Sequence, residues 1–328
     1  MDINHIQYEI TFVGMKKWLR SIFIIILSFL FLLILGIWIF GDPDISVTEI
    51  KEKYSLSESK YIVIDEIEVH YTLEGSGPDT LVLVHGTGSS LHTWQGWVDQ
   101  LKDSLVLMRM DLPAFGITGP YPDRDYSLEK YLNTLDQLFE AIGLDRFSLA
   151  GNSFGGFLSW NYALKFPEKV DKLILLDASG YPSDESIGVF NLAKNPLTAM
   201  VLKRITPKSF IRKNLNEVYA TDSLITDEIV ERYWSMARRI GNRQAFIDRV
   251  NLSRDDRSHL IKNVPQPTLI MWGDQDTWTD VAHAQLFKND ITDSQLIMYK
   301  NIGHTVMEED PVQSAKDAML FLKSNISK

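Results

Sequence analysis

Ser153 stands in the stretch Gly151-Asn152-Ser153-Phe154-Gly155, where residue types and spacing together describe a piece of chemistry. The apolar run Phe147-Ser148-Leu149-Ala150 before it reads as a buried strand. After it, Phe157-Leu158-Ser159-Trp160-Asn161-Tyr162-Ala163-Leu164 carries apolar residues at three- and four-residue spacing and reads as a helix. Gly-x-Ser-x-Gly at a strand-to-helix turn is a nucleophile elbow. Such a turn strains the serine backbone, and a side chain at Gly151 or Gly155 would crowd the neighbouring strand and helix. The strain holds the hydroxyl out above a sheet. The N–H groups opening the next helix favour negative charge developing at the same spot. Five residues can match by chance in a loop; the strand before and the helix after are what make this stretch an elbow.

A serine hydroxyl is a weak nucleophile at neutral pH and needs a base, which in turn needs an acid to orient it. The apolar runs ending at Val84, Met108, Leu176, Trp272 and Tyr299 read as further strands, and polar residues of the right types follow each. His85-Gly86 follows Val84, and His85 could be a metal ligand or a base. We read it as structural, because a base must be positioned by an acid and a better candidate lies downstream. Asp111 opens the turn-rich loop 111–119 and reads as a holder of loop backbone. Asp177 follows Leu176, Asp274 and Asp276 follow Gly273, and Gly303-His304 follows the last strand.

His85-Gly86, the 111–119 loop and the elbow, in that order on alternating strands and helices, resemble the α/β-hydrolase superfamily over residues 60–328. The resemblance implies an α/β fold with a mostly parallel central sheet flanked by helices, and an acid and a histidine to come, in that order. The acid commonly ends a Gly-x-x-Asp after a strand, which falls on Asp276; the histidine falls on His304. Asp177 occupies a position that some members use for the acid, and Asp274 reads as a turn cap. The implied oxyanion donors are the backbone N–H groups of Thr87 and Phe154, with His85, Gly86, Gly151 and Gly155 supporting them.

The elements around these residues are expected as follows. Residues 61–64 and 69–73 form a strand ribbon with a turn at Glu74-Gly75-Ser76-Gly77-Pro78, and 127–142 is an amphipathic helix. Between 181 and 259 strands vanish and helical stretches appear at 197–205, 209–219, 226–240 and 243–252. In the third, Ile229, Tyr233, Trp234, Ala237 and Ile240 share one face. The resemblance makes this insertion a helical cap, most of whose apolar residues pack it on the core; Phe190, Met200 and Trp234 are candidates to line an acyl pocket. Residues 312–322 form a closing helix.

The first 59 residues are of another kind. Residues 1–15 are short, mixed and read as unstructured, and Met1 or Met15 could be the initiator. From 21 to 40 the chain is almost wholly apolar, long enough to span a bilayer. A cleaved signal peptide would have a shorter apolar run and a small-residue cleavage site, so a retained anchor is expected. Lys16, Lys17 and Arg20 on one flank and Asp42 and Asp44 on the other place residues 1–20 in the cytoplasm and the rest outside it, periplasmic or otherwise extracytoplasmic. Residues 41–59 are expected as a polar tether, 60–180 with 260–328 as the core, and 181–259 as the cap.

The net charge of -10, without a basic stripe, argues against a nucleic-acid partner. Absence of cysteine excludes disulfides and thiolate chemistry, and the seven histidines show no ligand spacing, so no metal is expected; the implied Ser153, His304 and Asp276 need no cofactor. A serine at the elbow argues against dehalogenases and epoxide hydrolases of similar fold, which use aspartate there. The resemblance then implies acyl transfer to water. A membrane-anchored, capped serine hydrolase resembles monoacylglycerol lipase-like enzymes, so the expected substrate is a lipid-like or medium-chain ester. Alternatives are a C–C bond hydrolase of ring-cleavage products and a non-catalytic hydrolase fold used for binding.

Overall fold

The computed structural model describes residues 3–182, 188–253 and 255–324. Met1, Asp2, the last four residues and parts of the expected cap (183–187 and 254) lie outside them. The chain divides into two units, Met1–Pro43 and Asp44–Lys328. The first contains helix α1 (Ile3–Phe40). Its stretch Lys17–Gly36 is long and apolar enough to cross a membrane. The expectation of no structure before residue 15 is corrected from Ile3 onward, where the helix runs without a break.

In the second unit the eight-residue helix α2 (Val47–Tyr54) stands inside the expected tether. Ser46 caps it by accepting from the Glu49 N–H at 3.2 Å. Ile50 is fully buried against Ile117 and Met236, and Asp44 pairs with Arg243 at 2.7 Å. One apolar side chain per turn is enough to seat so short a helix, a signal too sparse to read from sequence.

Strands β1 (Lys60–Ile64) and β2 (Ile67–Gly75) form an antiparallel hairpin. Its turn is Asp65-Glu66, both at positive φ (49° and 66°), and not the expected Glu74–Pro78 stretch, which holds the end of β2. Positive φ at both central residues matches the twist of the paired strands, and here it is adopted without glycine. Next come β3 (Thr80–Val84), α3 (Gln95–Leu101), β4 (Val106–Met110), α4 (Leu128–Ala141), β5 (Phe147–Asn152), α5 (Phe154–Lys165) and β6 (Val170–Leu176). With β7 (Thr268–Gly273) and β8 (Ser294–Tyr299), the eight strands among the described residues make one sheet in the order β1-β2-β4-β3-β5-β6-β7-β8, parallel from β4 onward.

Period-two alternation sorts the core into two layers. Val82 and Val84 face one side with Phe139, Leu149, Trp160 and Phe287, under α4, α5 and α11 (Ala282–Asp290). Leu81 and Leu83 face the other with Trp97, Ile174, Leu269 and Phe321, under α3 and α13. A parallel strand covered on both faces must be apolar throughout, which is why β3 reads as an unbroken apolar run.

Among the described residues five α-helices lie between β6 and β7: α6 (Gly188–Lys194), α7 (Pro196–Leu202), α8 (Lys208–Val218), α9 (Asp227–Arg238) and α10 (Asn242–Asn251). The last four fall on the expected stretches and α6 was not expected. On α9 the expected face is only partly right. Val230 and Met236 are its buried apolar residues, and Ile240, beyond the helix end, is half exposed. The helix is covered from two directions, by α8 and by Ile50 of α2, so one apolar stripe does not describe it. The chain closes with β7 (Thr268–Gly273), α11 (Ala282–Asp290), β8 (Ser294–Tyr299), α12 (Val306–Glu309) and α13 (Pro311–Lys323).

Candidate active site

The loops after β3, β5, β6, β7 and β8 all leave the same edge of the parallel sheet, because parallel strands end together. Ser153 sits between β5 and α5 at φ 54° and ψ −117°, a strained conformation for a residue with a side chain. Three backbone bonds hold it there. Its N–H donates to the Leu176 carbonyl at 3.0 Å, and its carbonyl accepts from the N–H groups of Phe157 (3.0 Å) and Ser179 (3.1 Å). Gly155 has no room for a Cβ, which would strike the Val84 and His85 carbonyls.

His304 follows β8 and is 4% exposed. Its backbone N–H donates to Val218 O at 2.7 Å, and its carbonyl accepts from Asn152 Nδ2 at 3.0 Å. Its ring Nδ1 donates to Asp276 Oδ2 at 2.8 Å. The other oxygen of Asp276 accepts from the N–H groups of Trp278 (2.7 Å) and Thr279 (3.0 Å), so the carboxylate is held on both sides. Thr279 Oγ1 lies 3.0 Å from the same Nδ1 and donates to the Asp177 carbonyl at 3.1 Å. With Nδ1 committed as donor, Nε2 is left as an acceptor. Ser153 Oγ and the His304 ring border one cavity, and no hydrogen bond joins them.

The other two carboxylates are placed differently. Asp274 accepts from the Asn301 N–H at 2.7 Å and caps its turn. Asp177 is fully buried, and its Oδ1 accepts from the Gly273 N–H at 2.9 Å. Burial, then the charge of Asp276, pushes its pKa well above the usual carboxylate value. Neither bonds the His304 ring.

His85 is buried with Nδ1 donating to the Gly86 carbonyl at 2.7 Å and Nε2 accepting from the Leu112 N–H at 2.9 Å. Both nitrogens are occupied by backbone, and burial lowers its pKa, so the ring is a neutral strut. Asp111 accepts from the N–H groups of Leu91 and Ile117, each at 2.7 Å, and from His70 Nδ1 at 2.8 Å. Burial would raise its pKa, but His70 holds it below the ordinary value.

The cavity has a volume of about 1170 Å³ including its open mouth. Gly86, Thr87, Ser153 and His304 border it on one side, and Val189, Phe190, Leu202, Phe210 and Phe246 of the insertion on the other. Phe190 is where the sequence placed it. Met200 and Trp234 are not: Met200 is half exposed, and Trp234 donates to Thr206 O at 2.6 Å with its ring between Lys208 and Arg238. One residue along a helix is a rotation of about 100°, so Tyr233 faces the cavity in its stead. Its hydroxyl bonds Glu308 at 3.1 Å.

Sequence reasoning missed Asn152, Trp278 and Thr279, all of which touch or orient His304. The Asp276-x-x-Thr279 spacing, an acidic residue with its own backbone turn, was the available signal for the last. Among the described residues no cluster of three or more His, Cys, Asp or Glu could hold a metal ion.

The family model for the alpha/beta hydrolase fold matches residues 79–311. An uncharacterized hydrolase, YugF, of Bacillus subtilis is 27% identical over 274 residues, covering 82% of this chain and 99% of that protein. The 2-hydroxy-6-oxo-2,4-heptadienoate hydrolase of Pseudomonas putida is 27% identical over 264 residues (76% and 91%). Lipase 3 of a Moraxella species is 28% identical over 264 residues (74% and 77%). Among solved structures, a bacterial membrane phospholipase A superposes with a TM-score of 0.71 at 23% identity, over 94% of this chain and 98% of that one. A meta-cleavage product hydrolase from Pseudomonas fluorescens gives 0.69 at 23%, over 80% and 97%. Strand order, elbow and matched model agree: the chain belongs to the α/β-hydrolase fold family.

Proposed function

We propose that this hydrolase cleaves carboxylic esters with lipid-like or medium-chain acyl groups, using Ser153, His304 and Asp276. Ser153 Oγ attacks the ester carbonyl and passes its proton to His304 Nε2. The backbone N–H groups of Thr87 and Phe154 stabilise the oxyanion, each worth about 3 kcal/mol. The alcohol leaves with the proton from His304, and water, activated by the same ring, hydrolyses the acyl-serine and returns the proton to Ser153. Asp276 keeps the tautomer and stabilises the imidazolium. The insertion, residues 181–259, serves as the cap over the core of 60–180 and 260–328.

The observation that carries this reading is the cavity that ends on Ser153 and His304 and is walled by aliphatic and aromatic side chains of the insertion. An acyl chain fits such walls, at about 0.8 kcal/mol per buried methylene. The Moraxella relative is a lipase, and one of the solved structures that superposes is a bacterial membrane phospholipase A. We further propose that α1 anchors the protein in a membrane, its Lys16, Lys17 and Arg20 flank cytoplasmic and the hydrolase unit outside.

A second reading, C–C bond hydrolysis of a ring-cleavage product, is favoured by the similarity to the heptadienoate and meta-cleavage product hydrolases. The deciding experiment is turnover of p-nitrophenyl esters of increasing acyl length by the full chain in detergent, beside Ser153→Ala and beside a ring-cleavage dienoate. Ester activity peaking at medium or long chains and lost in the variant is the expected result. Dienoate turnover with inert esters selects the second reading. Full activity in Ser153→Ala refutes the mechanism.

A further inference from the structure

Arg249 of α10 is 2% exposed and lies where the insertion meets the core. Its Nη2 donates to Thr87 Oγ1 at 2.7 Å. The guanidinium carbon is 4.4 Å from the centre of the Phe154 ring and 5.2 Å from that of Phe115. Thr87 follows β3 and Phe154 opens α5, so two residues from separate elements share one arginine that comes from a third. Burying a guanidinium costs several kcal/mol, and a side chain needed only for packing would be better apolar. Its stacking on aromatic faces and its directed hydrogen bond suit a part that must hold a geometry.

We propose that Arg249 is a positioning residue for the oxyanion hole. It fixes Thr87 and the start of α5 so that the two backbone N–H groups converge, and it makes that convergence depend on the seated cap. The proposal rests on the assignment of Ser153 as nucleophile and of Thr87 and Phe154 as oxyanion donors. Thr87 lies between Gly86 and Gly88, the latter at φ 74°, so its peptide is flanked by the two residues least able to stiffen a loop. The bond from Arg249 to the hydroxyl supplies that stiffness from outside. Its fixed positive charge beside the same residues also favours an anion on the substrate oxygen.

The test uses the full chain in detergent, with active sites counted by fluorophosphonate titration of Ser153, on the p-nitrophenyl ester that the wild type turns over best. Arg249→Gln should lower kcat per titrated site about tenfold with little change in KM, a part of the ~10²–10³ that loss of a whole donor costs. Arg249→Lys, which keeps the charge but not the planar fork, should fall between the two. Thr87→Val should lose about as much as Arg249→Gln, and Thr87→Ser should lose less. The double variant Arg249→Gln/Thr87→Val should be no worse than the poorer single within about twofold, because both remove one interaction. Affinity for an alkyl trifluoromethyl ketone, which mimics the tetrahedral intermediate, should fall in step with kcat/KM.

A merely structural arginine would lower the melting temperature and leave turnover per titrated site intact. Wild-type kcat per site in Arg249→Gln, losses that multiply in the double variant, or a fully active Thr87→Val beside an Arg249→Gln that does not fold would each overturn the proposal. Full turnover in Ser153→Ala is a different failure: it removes the nucleophile assignment first, and this inference with it.

Discussion

His304 Nδ1 donates to Asp276 Oδ2 at 2.8 Å, while Asp177, fully buried at the end of the neighbouring strand, points its Oδ1 at the Gly273 N–H. Three carboxylates follow the two strands beside the histidine, and the bond that orients its ring comes from one of them. Asp276→Asn should therefore lower kcat about 10⁴-fold by allowing the wrong tautomer. Asp177→Asn should retain most of its turnover. Steady-state rates of both variants, normalised to titrated sites, check this; a loss in Asp177→Asn as large as in Asp276→Asn would reassign the acid.

Asp177 also predicts a pH effect on stability. Its folded pKa is raised, by burial first and then by Asp276, above the unfolded value of about 3.9. The native state therefore binds its proton more tightly, and the stability this contributes is lost as pH rises through the folded pKa. Asp177→Asn removes that loss, so its melting temperature relative to wild type should climb with rising pH. Parallel curves across the pH range would contradict it.

His92 predicts the opposite trend. Burial pushes its pKa down to about 4, with Nε2 on the Tyr54 carbonyl at 2.9 Å. The stability tied to its neutral form is present above the unfolded value of about 6.5 and is lost as pH falls from there towards 4. In His92→Gln the fall in melting temperature across that window should be smaller than in wild type. Thermal denaturation in a buffer series from pH 7 to pH 4 reads the difference directly.

Gly155→Ala should cost about 3 kcal/mol or more, since the added methyl meets backbone carbonyls of Val84 and His85 that the sheet itself holds in place. Chemical denaturation measures it. A stability equal to wild type would mean that the helix following the elbow can shift away from β3.

On the proposed ester-hydrolase reading, Leu202→Trp should fill part of the cavity and shorten the preferred acyl chain. Each methylene excluded should lower kcat/KM about fourfold, the equivalent of about 0.8 kcal/mol. The ester series that defines the wild-type profile shows the shift; an unchanged optimum would place the acyl chain elsewhere.

The parts of this protein written in local pattern could be read without coordinates. Apolar runs, the glycines around Ser153, and the polar residues that follow each strand depend on near neighbours in the chain, and their order carried the resemblance and hence the fold. What depended on distant residues could not be read in that way. Tyr233 and Trp234 are adjacent in sequence, yet one faces the cavity and the other faces away, because helix packing sets the rotation. A single buried Ile50 turns part of an expected tether into a helix seated against Ile117 and Met236. Asp276, Asp177 and Asp274 are one residue type at three plausible positions, and the bond to the imidazole is a matter of angles set by β6, β7 and β8 together. Arg249, beyond every motif, reaches Thr87 only because the insertion folds back over the sheet edge. Local sequence determines which elements form; the burial and direction of each side chain are decided only when those elements pack.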